Sequence, residues 1–212
     1  MTPDSPSINL THHFLIAMPG LEDATFAKSV VYLCEHSERG ALGIVINKAS
    51  DLSMTGLFEK VDLPLLRRDL SQSPVLQGGP VHTERGFVLH EAMVAQVDDS
   101  EQAAVAAVHS AKPQESIYAS TMTIPGGLEM TTSKDVLEAL STGAGPRRVL
   151  ISLGYSAWGQ GQLESELAEN SWLTVGADMD VMFDTPIEQR YERAMGLLGL
   201  ESWMLSSEAG HA

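Results

Sequence analysis

The only cysteine in the chain, Cys34, is followed directly by Glu35 and His36. A thiol beside an imidazole could act as a nucleophile or as a redox sensor, because the thiolate is the reactive form of cysteine. On a β-strand Cys34 and His36 would share one face, about 6–7 Å apart along the backbone, with Glu35 on the other face. Val30 and Tyr32 would share the face of Cys34, which favours a core cysteine packed as a small hydrophobe. A redox-sensing pair of Cys34 and His36 and a catalytic thiol stay open as alternatives.

A second candidate is the segment 153–166, LGYSAWGQGQLESE, which reads as a strand, a glycine-rich loop and the start of a helix. Free backbone N–H groups at such a junction can bind an anion. Gly154 and Gly159 have the spacing of the two glycines in a P-loop, but Gln160 and Gly161 stand where lysine and serine or threonine are required. Two glutamates in the first helical turn would also oppose a phosphate. We therefore expect a tight loop holding an aromatic residue more than a nucleotide site.

Further patterns of reactive residues are incomplete. The Ser156 environment lacks the second glycine of a nucleophile elbow, because Trp158 stands in its place. Neighbouring His12 and His13 would face opposite sides of a strand, and no histidine pair has the spacing of a zinc site. Asp178 begins a calcium-like pattern that later positions break. We predict no metal, no cofactor and no assigned catalytic residue, and we expect the turn Gly78-Gly79-Pro80 to bend the chain.

Composition limits the class of function. The 212 residues, with 43% hydrophobic and 19% charged residues, suit one globular domain. The formal net charge is −15, and residues 149–189 contain seven carboxylates and no lysine or arginine. Such a charge repels nucleic acid and attracts a basic protein or cations. The N-terminus has no signal-peptide pattern and no segment reaches the ~18 apolar residues of a membrane span. We expect a cytoplasmic protein without a membrane anchor that binds a protein with a basic surface or a small ligand, in an oligomeric state the sequence leaves open.

Hydrophobic runs and turn residues predict the elements. The predicted strands are 13–18, 29–36, 41–47, 73–81, 85–92, 116–124, 128–132, 147–154 and 172–177. Helical character is predicted within 58–70, at 98–111, 136–140 and 161–170, and after a Thr185-Pro186 capping box at the C-terminal end. Hairpins and mixed strands predict a single α+β domain over 10–202, with a flexible 1–9 segment and a loose tail at 203–212.

Four separated stretches together resemble one known family. They are FAKSVVYLCEHSERGALGIVINK, QGGPVHTERGFVLHE, ISLGYSAWGQGQLESELAENSWL and FDTPIEQRYERAMGLLGL. Their order and content are similar to the YqgE/AlgH family of bacterial proteins, with a likeness from about Leu10 to Leu200. The resemblance implies a compact α+β fold of coiled and bifurcated β-sheets flanked by helices. It also implies a cytosolic protein with a regulatory, transcription-related role.

The family pattern marks candidate residues without giving them roles. The resemblance places them at Cys34, Glu35, His36, Gly78, Gly79, Pro80, Arg85, Gly86, Gly154, Tyr155, Trp158, Gly159, Gly161, Gln162 and Glu164. Because the negative net charge opposes direct binding to DNA, we expect the protein to regulate through another protein. The alternatives are a Cys34 redox sensor and an enzyme that binds a phosphorylated or nucleotide ligand at the Gly154–Gln162 loop.

Overall fold

The protein forms a curled, mainly antiparallel sheet with short helices on its faces. The structure is a computed structural model that describes residues 9–93 and 116–201. This arrangement confirms the predicted α+β class. The strands are β1 (His13–Ala17), β2 (Val30–Ser37), β3 (Gly40–Val45), β4 (Ala49–Ser53), β5 (Pro74–Gln77), β6 (Val81–Glu91), β7 (Thr121–Ile124), β8 (Leu128–Thr131), β9 (Val149–Trp158) and β10 (Trp172–Gly176). The helices are α1 (Met54–Lys60), α2 (Asp135–Thr142), α3 (Gln162–Ala168) and α4 (Arg190–Leu197).

Strand β9 is the point at which the sheet forks. Strand order is β10-β1-β2-β3-β9-β6-β8-β7, while β4 pairs with β5. One partner of β9 is β6, paired antiparallel along most of its length. Two other strands share the remaining pairing positions: β5 pairs in parallel at Ser152 and Leu153, and β3 pairs antiparallel at 156–158. This fork agrees with the bifurcated sheet that the family resemblance implied.

Alternating residues of β1 and β2 divide the interior into two cores on opposite faces of the sheet. The first core contains Phe14, Ile16 and Tyr32, and it is covered by α4 and by a π-helical turn at Asp180–Asp184. The second core contains Leu15 and Leu33 and is covered by α3. A third core forms where α1 and α2 pack on β5 and β9. The acidic stretch 149–189 is therefore divided between the two faces, because α3 lies on one and the π-helical turn on the other.

Several predicted elements have different boundaries. Strand β9 continues to Trp158, so Gly154–Trp158 is sheet and the predicted glycine-rich loop is reduced to a turn at 159–161. The predicted capping box is wrong, because Thr185 Oγ1 donates to the carbonyl of Asp180, and a 3-10 turn at Ile187–Gln189 precedes α4. The first helix is α1, earlier than the predicted 58–70. The helix expected at 98–111, residues 1–8 and the tail 203–212 lie outside the described residues.

Candidate functional site

A β-bulge at Cys34 separates this residue from His36. In the pairing of β2 with β3, Leu33 faces Gly43 and Glu35 faces Leu42, so two steps on β2 match one step on β3. Such an extra residue reverses the alternation of the strand. Cys34 therefore packs in the first core, whereas His36 pairs with Ala41 of the second core. The expectation that Cys34 and His36 share one face is wrong, because regular alternation does not cross a bulge.

The thiol of Cys34 is enclosed in apolar packing. The residue is 2% exposed, and its Sγ lies 3.8 Å from the carbonyl oxygen of Tyr32. Burial raises the pKa of the Cys34 thiol well above its ordinary value, because the charged thiolate would lose its hydration. A redox sensor and a catalytic thiol both require an accessible thiolate. The observed environment favours the core interpretation of Cys34, and no described contact favours those two alternatives.

His36 connects β2 to the N-terminal segment and to α3. Its Nδ1 accepts a hydrogen bond of 3.0 Å from the backbone N–H of Leu10, so the proton of the neutral ring lies on Nε2. Nε2 then donates to Oε1 of Glu164 at 2.9 Å. The His36 side chain is 3% exposed and that of Glu164 is 53% exposed. The pKa of Glu164 is lowered mainly by a backbone hydrogen bond and further by His36, so this surface carboxylate keeps its negative charge.

A buried pair of tryptophans holds α3 in place through one carboxylate. Glu166 Oε2 accepts hydrogen bonds from Trp158 Nε1 at 2.9 Å and from Trp172 Nε1 at 2.8 Å. Its other oxygen accepts from Gln162 Nε2 at 3.0 Å. Phe26 packs against both indole rings. Trp158 and Gln162, predicted as ligand residues, therefore make structural contacts in a clamp that fixes α3 on the sheet.

The turn after β9 is also engaged internally. The Gly159 N–H donates to Gln162 Oε1 at 3.0 Å, and the Gln162 N–H donates to the Gly159 carbonyl. An anion site in this turn would need such N–H groups free. These two N–H groups already have partners, and no described contact favours the nucleotide or phosphate alternative at this segment. Gly161 precedes α3 with a positive φ of 74° and lies exposed beside the helix.

The two glycine motifs meet where one segment of backbone crosses another. A Cβ atom at Gly78 would lie 2.2 Å from the Gly154 carbonyl oxygen, and one at Gly154 would lie 2.6 Å from the Gly79 oxygen. The Gly78 N–H donates to the Leu153 carbonyl, and the Gly78 carbonyl accepts from Val45 and from Ser156. Since β5 and β6 flank β9 on opposite sides, the Gly78–Pro80 turn must cross β9. Gly78, Gly79 and Gly154 permit this close crossing.

The residues after the crossing form an exposed excursion of β6. Val81 pairs with Tyr155 and Gly86 pairs with Leu153, so the residues between them leave the regular ladder. Arg85 lies exposed on this excursion, and the His82 ring stacks on Tyr155 with 6.0 Å between ring centres. Tyr155 also contacts Phe87 edge to face. Tyr155 and Arg85 are thus near the glycine crossing, whereas α3 lies beyond the far end of β9.

The candidate residues therefore separate into three groups. The first group is Cys34, in the first core. The second is the glycine crossing, with Tyr155 and Arg85 close to it. The third is the clamp between α3 and the end of β9. The third group includes an exposed polar patch, which we call the α3 surface. It consists of Gly161, Gln162, Glu164, Ser165, Ala168 and Glu169.

Two arrangements were not predicted. The basic pairs 67–68 and 147–148 approach each other in space, and Arg67 Nη1 donates to the Pro146 carbonyl. Arg190, in the predicted C-terminal helix, was not a candidate residue, but it is buried. The available signal was its position, because residue 190 lies at helical spacing from Ile187 and Ala194 on the inward face of α4.

Two observations concern membrane and metal binding. No helix within 9–93 and 116–201 has the length and apolar character needed to cross a membrane. Over the same part of the chain, His, Cys, Asp and Glu side chains do not gather in groups of three or more that could bind a metal ion.

Comparison with known proteins identifies close relatives. The AlgH-like family model matches residues 14–203. A UPF0301 protein of Paracidovorax citrulli is 73% identical over 215 residues, and one of Variovorax paradoxus is 71% identical over 212 residues. In both comparisons the match covers 100% of each chain.

Two solved structures share the architecture. The solution structure of the AlgH protein from Pseudomonas aeruginosa is 42% identical, with a TM-score of 0.70 and coverage of 100% of both chains. The crystal structure of a protein from Corynebacterium diphtheriae has a TM-score of 0.67 at 19% identity, covering 98% of this chain and 95% of that one. The second likeness concerns the fold alone. Together these comparisons establish family and fold and assign no activity to the residues above.

Proposed function

This chain belongs to the AlgH-like family, and from that premise we propose that it is a non-enzymatic regulatory protein of the bacterial cytoplasm that binds another protein through the α3 surface. The expected partner presents a basic patch. The observation that carries the proposal is the rigid display of exposed carboxylates on α3, within a stretch of sequence that has no lysine or arginine.

Helix α3 is fixed at several points, which suits a docking element. Leu163 is fully buried in the second core, Glu166 is bound by both tryptophans, and Glu164 is bound by His36. A surface held in its bound geometry loses little conformational entropy when a partner docks. The remaining face of the helix, including Glu169, is exposed.

Charge supports a basic partner over a nucleic acid. The net charge of −15 repels phosphates over the whole molecule. Complementary charges across an interface accelerate association and select among partners. Because the pKa of Glu164 is lowered, its carboxylate stays negatively charged at pH values well below neutral.

Charge removal on opposite faces of the sheet tests this proposal. The first variant, Glu164→Gln with Glu169→Gln, removes two charges from the α3 surface. The matched control, Asp180→Asn with Glu188→Gln, removes two exposed charges near the π-helical turn on the other face. Binding of a synthetic lysine- and arginine-rich peptide and of duplex DNA is measured at low salt and at about 0.15 M salt.

We expect the peptide to bind with strong salt dependence and the α3 variant to bind about tenfold more weakly, a loss of about 1.4 kcal/mol. The control variant should retain most of the affinity. Equal weakening by both variants would show an effect of net charge alone and reject the α3 surface. Firm binding of duplex DNA at about 0.15 M salt would reject the protein-partner proposal.

A further inference from the structure

Arg190, the first residue of α4, carries a guanidinium enclosed by the protein without a carboxylate partner among the described residues. The residue is 4% exposed. Its Nε donates to the Thr185 carbonyl at 3.0 Å, and its Nη1 donates to the Ile46 carbonyl at 2.5 Å. Within the described chain Nη2 makes no hydrogen bond. The atom keeps some contact with solvent, unlike a fully buried polar atom without a partner. Nη2 therefore faces accessible space.

Arg190 lines a cavity of about 560 Å³ between the first and third cores. The volume falls in the range of about 300–1,000 Å³ that small-molecule sites occupy. Arg190 lines the cavity together with the partly exposed apolar residues Val149, Phe183 and Ile187, whereas Leu76 and Ile151 at its wall are almost wholly buried. Asn47, Gln72 and Ser73 add polar groups to the lining. Small-molecule sites usually combine apolar walls with a few polar groups that fix the orientation of the ligand, and Arg190 can be such a group.

The Arg190 cation has incomplete compensation in this setting. Burial lowers its pKa to about 10, partly opposed by the charge of Glu188. The guanidinium therefore stays protonated at neutral pH, although two neutral carbonyls are its only described hydrogen-bond partners. Glu188 offsets only part of the cost of burying the Arg190 charge, and a bound anion would offset more of it.

The neighbouring carboxylates limit the charge of the anion. Asp184 and Glu188 also line the cavity. Asp184 is bound by Arg148 at 2.8 Å, and Glu188 is exposed. Because Arg148 offsets the charge of Asp184, Glu188 is the carboxylate left beside the Arg190 cation, and its charge would repel a phosphate dianion more than a single carboxylate. The site consequently suits a monoanion with an apolar body.

We propose that this cavity binds a small monocarboxylate, with its carboxylate accepting a hydrogen bond from Arg190 Nη2 and its apolar body lying against Val149, Phe183 and Ile187. The site is separate from the α3 surface, none of whose residues line the cavity. It is therefore a second, small-ligand site beyond the proposed protein-binding function.

The test uses three probes with linear alkyl bodies of nearly equal length: octanoate, octanamide and octyl phosphate. Binding to the full chain is followed by amide chemical shifts and by titration calorimetry. We expect octanoate to bind and to shift the amides of Ala49, Leu76 and Ile187, with octanamide and octyl phosphate at least about tenfold weaker. Octanamide binding as tightly as octanoate would contradict a role for the Arg190 charge, and tighter octyl phosphate would contradict the monocarboxylate assignment.

Three variants distinguish the cavity from general charge. Arg190→Gln should weaken octanoate binding at least about tenfold. Because this variant also disturbs the two hydrogen bonds from Arg190 to backbone carbonyls, Ala49→Trp provides an independent test. Ala49 is an exposed residue of β4 that lines the cavity, so a tryptophan there fills the cavity while Arg190 stays in place. Arg147→Gln removes an exposed arginine outside the cavity and should leave binding unchanged. Failure of octanoate to bind, or equal binding by wild type and the folded Ala49→Trp variant, would overturn the proposal.

Discussion

His36 Nε2 lies 2.9 Å from Glu164 Oε1, joining residues 128 positions apart and linking strand β2 to helix α3. The same imidazole accepts the Leu10 N–H through Nδ1. The two ring nitrogens of His36 thus make hydrogen bonds to two distant segments of the chain, and these two bonds define the tautomer of the ring. The contact places α3, and with it the proposed docking surface, at a fixed position on the sheet.

Replacing His36 with phenylalanine should lower the free energy of unfolding by about 1–3 kcal/mol, because the buried Leu10 N–H would lose its acceptor. Glu164→Gln is the matched control, since an amide oxygen can still accept from Nε2 at the exposed side. That change should cost less than about 1 kcal/mol. Urea denaturation measures both values, and equal losses for the two variants would argue against the importance of the buried bond.

Replacing Glu166 with alanine should destabilise the protein by about 3 kcal/mol or more, because two buried indole N–H groups would lose a charged acceptor. Glu166→Gln should lie between this variant and wild type, because its amide supplies one acceptor oxygen. Glu169→Ala, on the exposed side of the same helix, should change stability by no more than about 0.5 kcal/mol. Denaturation monitored by tryptophan fluorescence checks the order, and a neutral Glu166→Ala would refute the clamp.

Three Gly→Ala variants separate backbone strain from close contact. Gly154→Ala combines a φ of 70° with a Cβ 2.6 Å from the Gly79 oxygen, and it should cost about 3 kcal/mol or more. Gly127→Ala has a φ of 75° and open space, so only the strain of about 1–3 kcal/mol is expected. Gly86→Ala has neither feature and should be neutral or slightly stabilising. Thermal unfolding that placed Gly154→Ala level with Gly127→Ala would contradict the close crossing of the two segments.

Burial of Cys34 predicts a specific loss of stability at alkaline pH. Its pKa is raised in the folded protein, so above the ordinary thiol value of 9.0 the unfolded chain releases a proton that the folded chain retains. Stability from this thiol is therefore full below about pH 9 and declines as pH rises, by up to about 1.4 kcal/mol per pH unit. In urea denaturation between pH 8 and pH 11, Cys34→Ala should show a shallower decline than wild type.

The rate at which Cys34 is alkylated is an independent test of its burial. At neutral pH, iodoacetamide should modify the thiol only as fast as the protein opens, and denaturant should accelerate labelling. Rapid labelling of the native protein would contradict the enclosed thiol and would restore the redox alternative for Cys34.

Local patterns predicted much of the fold. The β2–β3 hairpin around Gly40 and the β7–β8 hairpin around Gly126 follow from apolar runs separated by turn residues, and both are present. Strand β10 and helix α3 also lie where their patterns place them. These elements depend on interactions between residues close in sequence, which a single sequence records directly.

Other features depend on contacts between distant segments and left no readable pattern. The bulge at Cys34 exists because β3 offers one residue for two of β2, and this reverses the expected position of His36. The sequence pattern placed Gly154 in a loop and Gly78 in a turn. Both glycines are required where the two segments cross, and this crossing depends on the parallel pairing of β5 with β9. The exposure of Arg190 to a cavity likewise depends on the approach of β5, β9 and α4.

Photo-crosslinking in living cells tests the central proposal most directly. A photoreactive phenylalanine analogue replaces Ser165, in the middle of the α3 surface, or Asp180 on the other face of the sheet as the control. We expect a discrete crosslinked product with a basic protein from position 165. This product should be absent from position 180 and lost when Glu164→Gln and Glu169→Gln are added. No discrete product from position 165, or equal products from both positions, would contradict partner binding through α3.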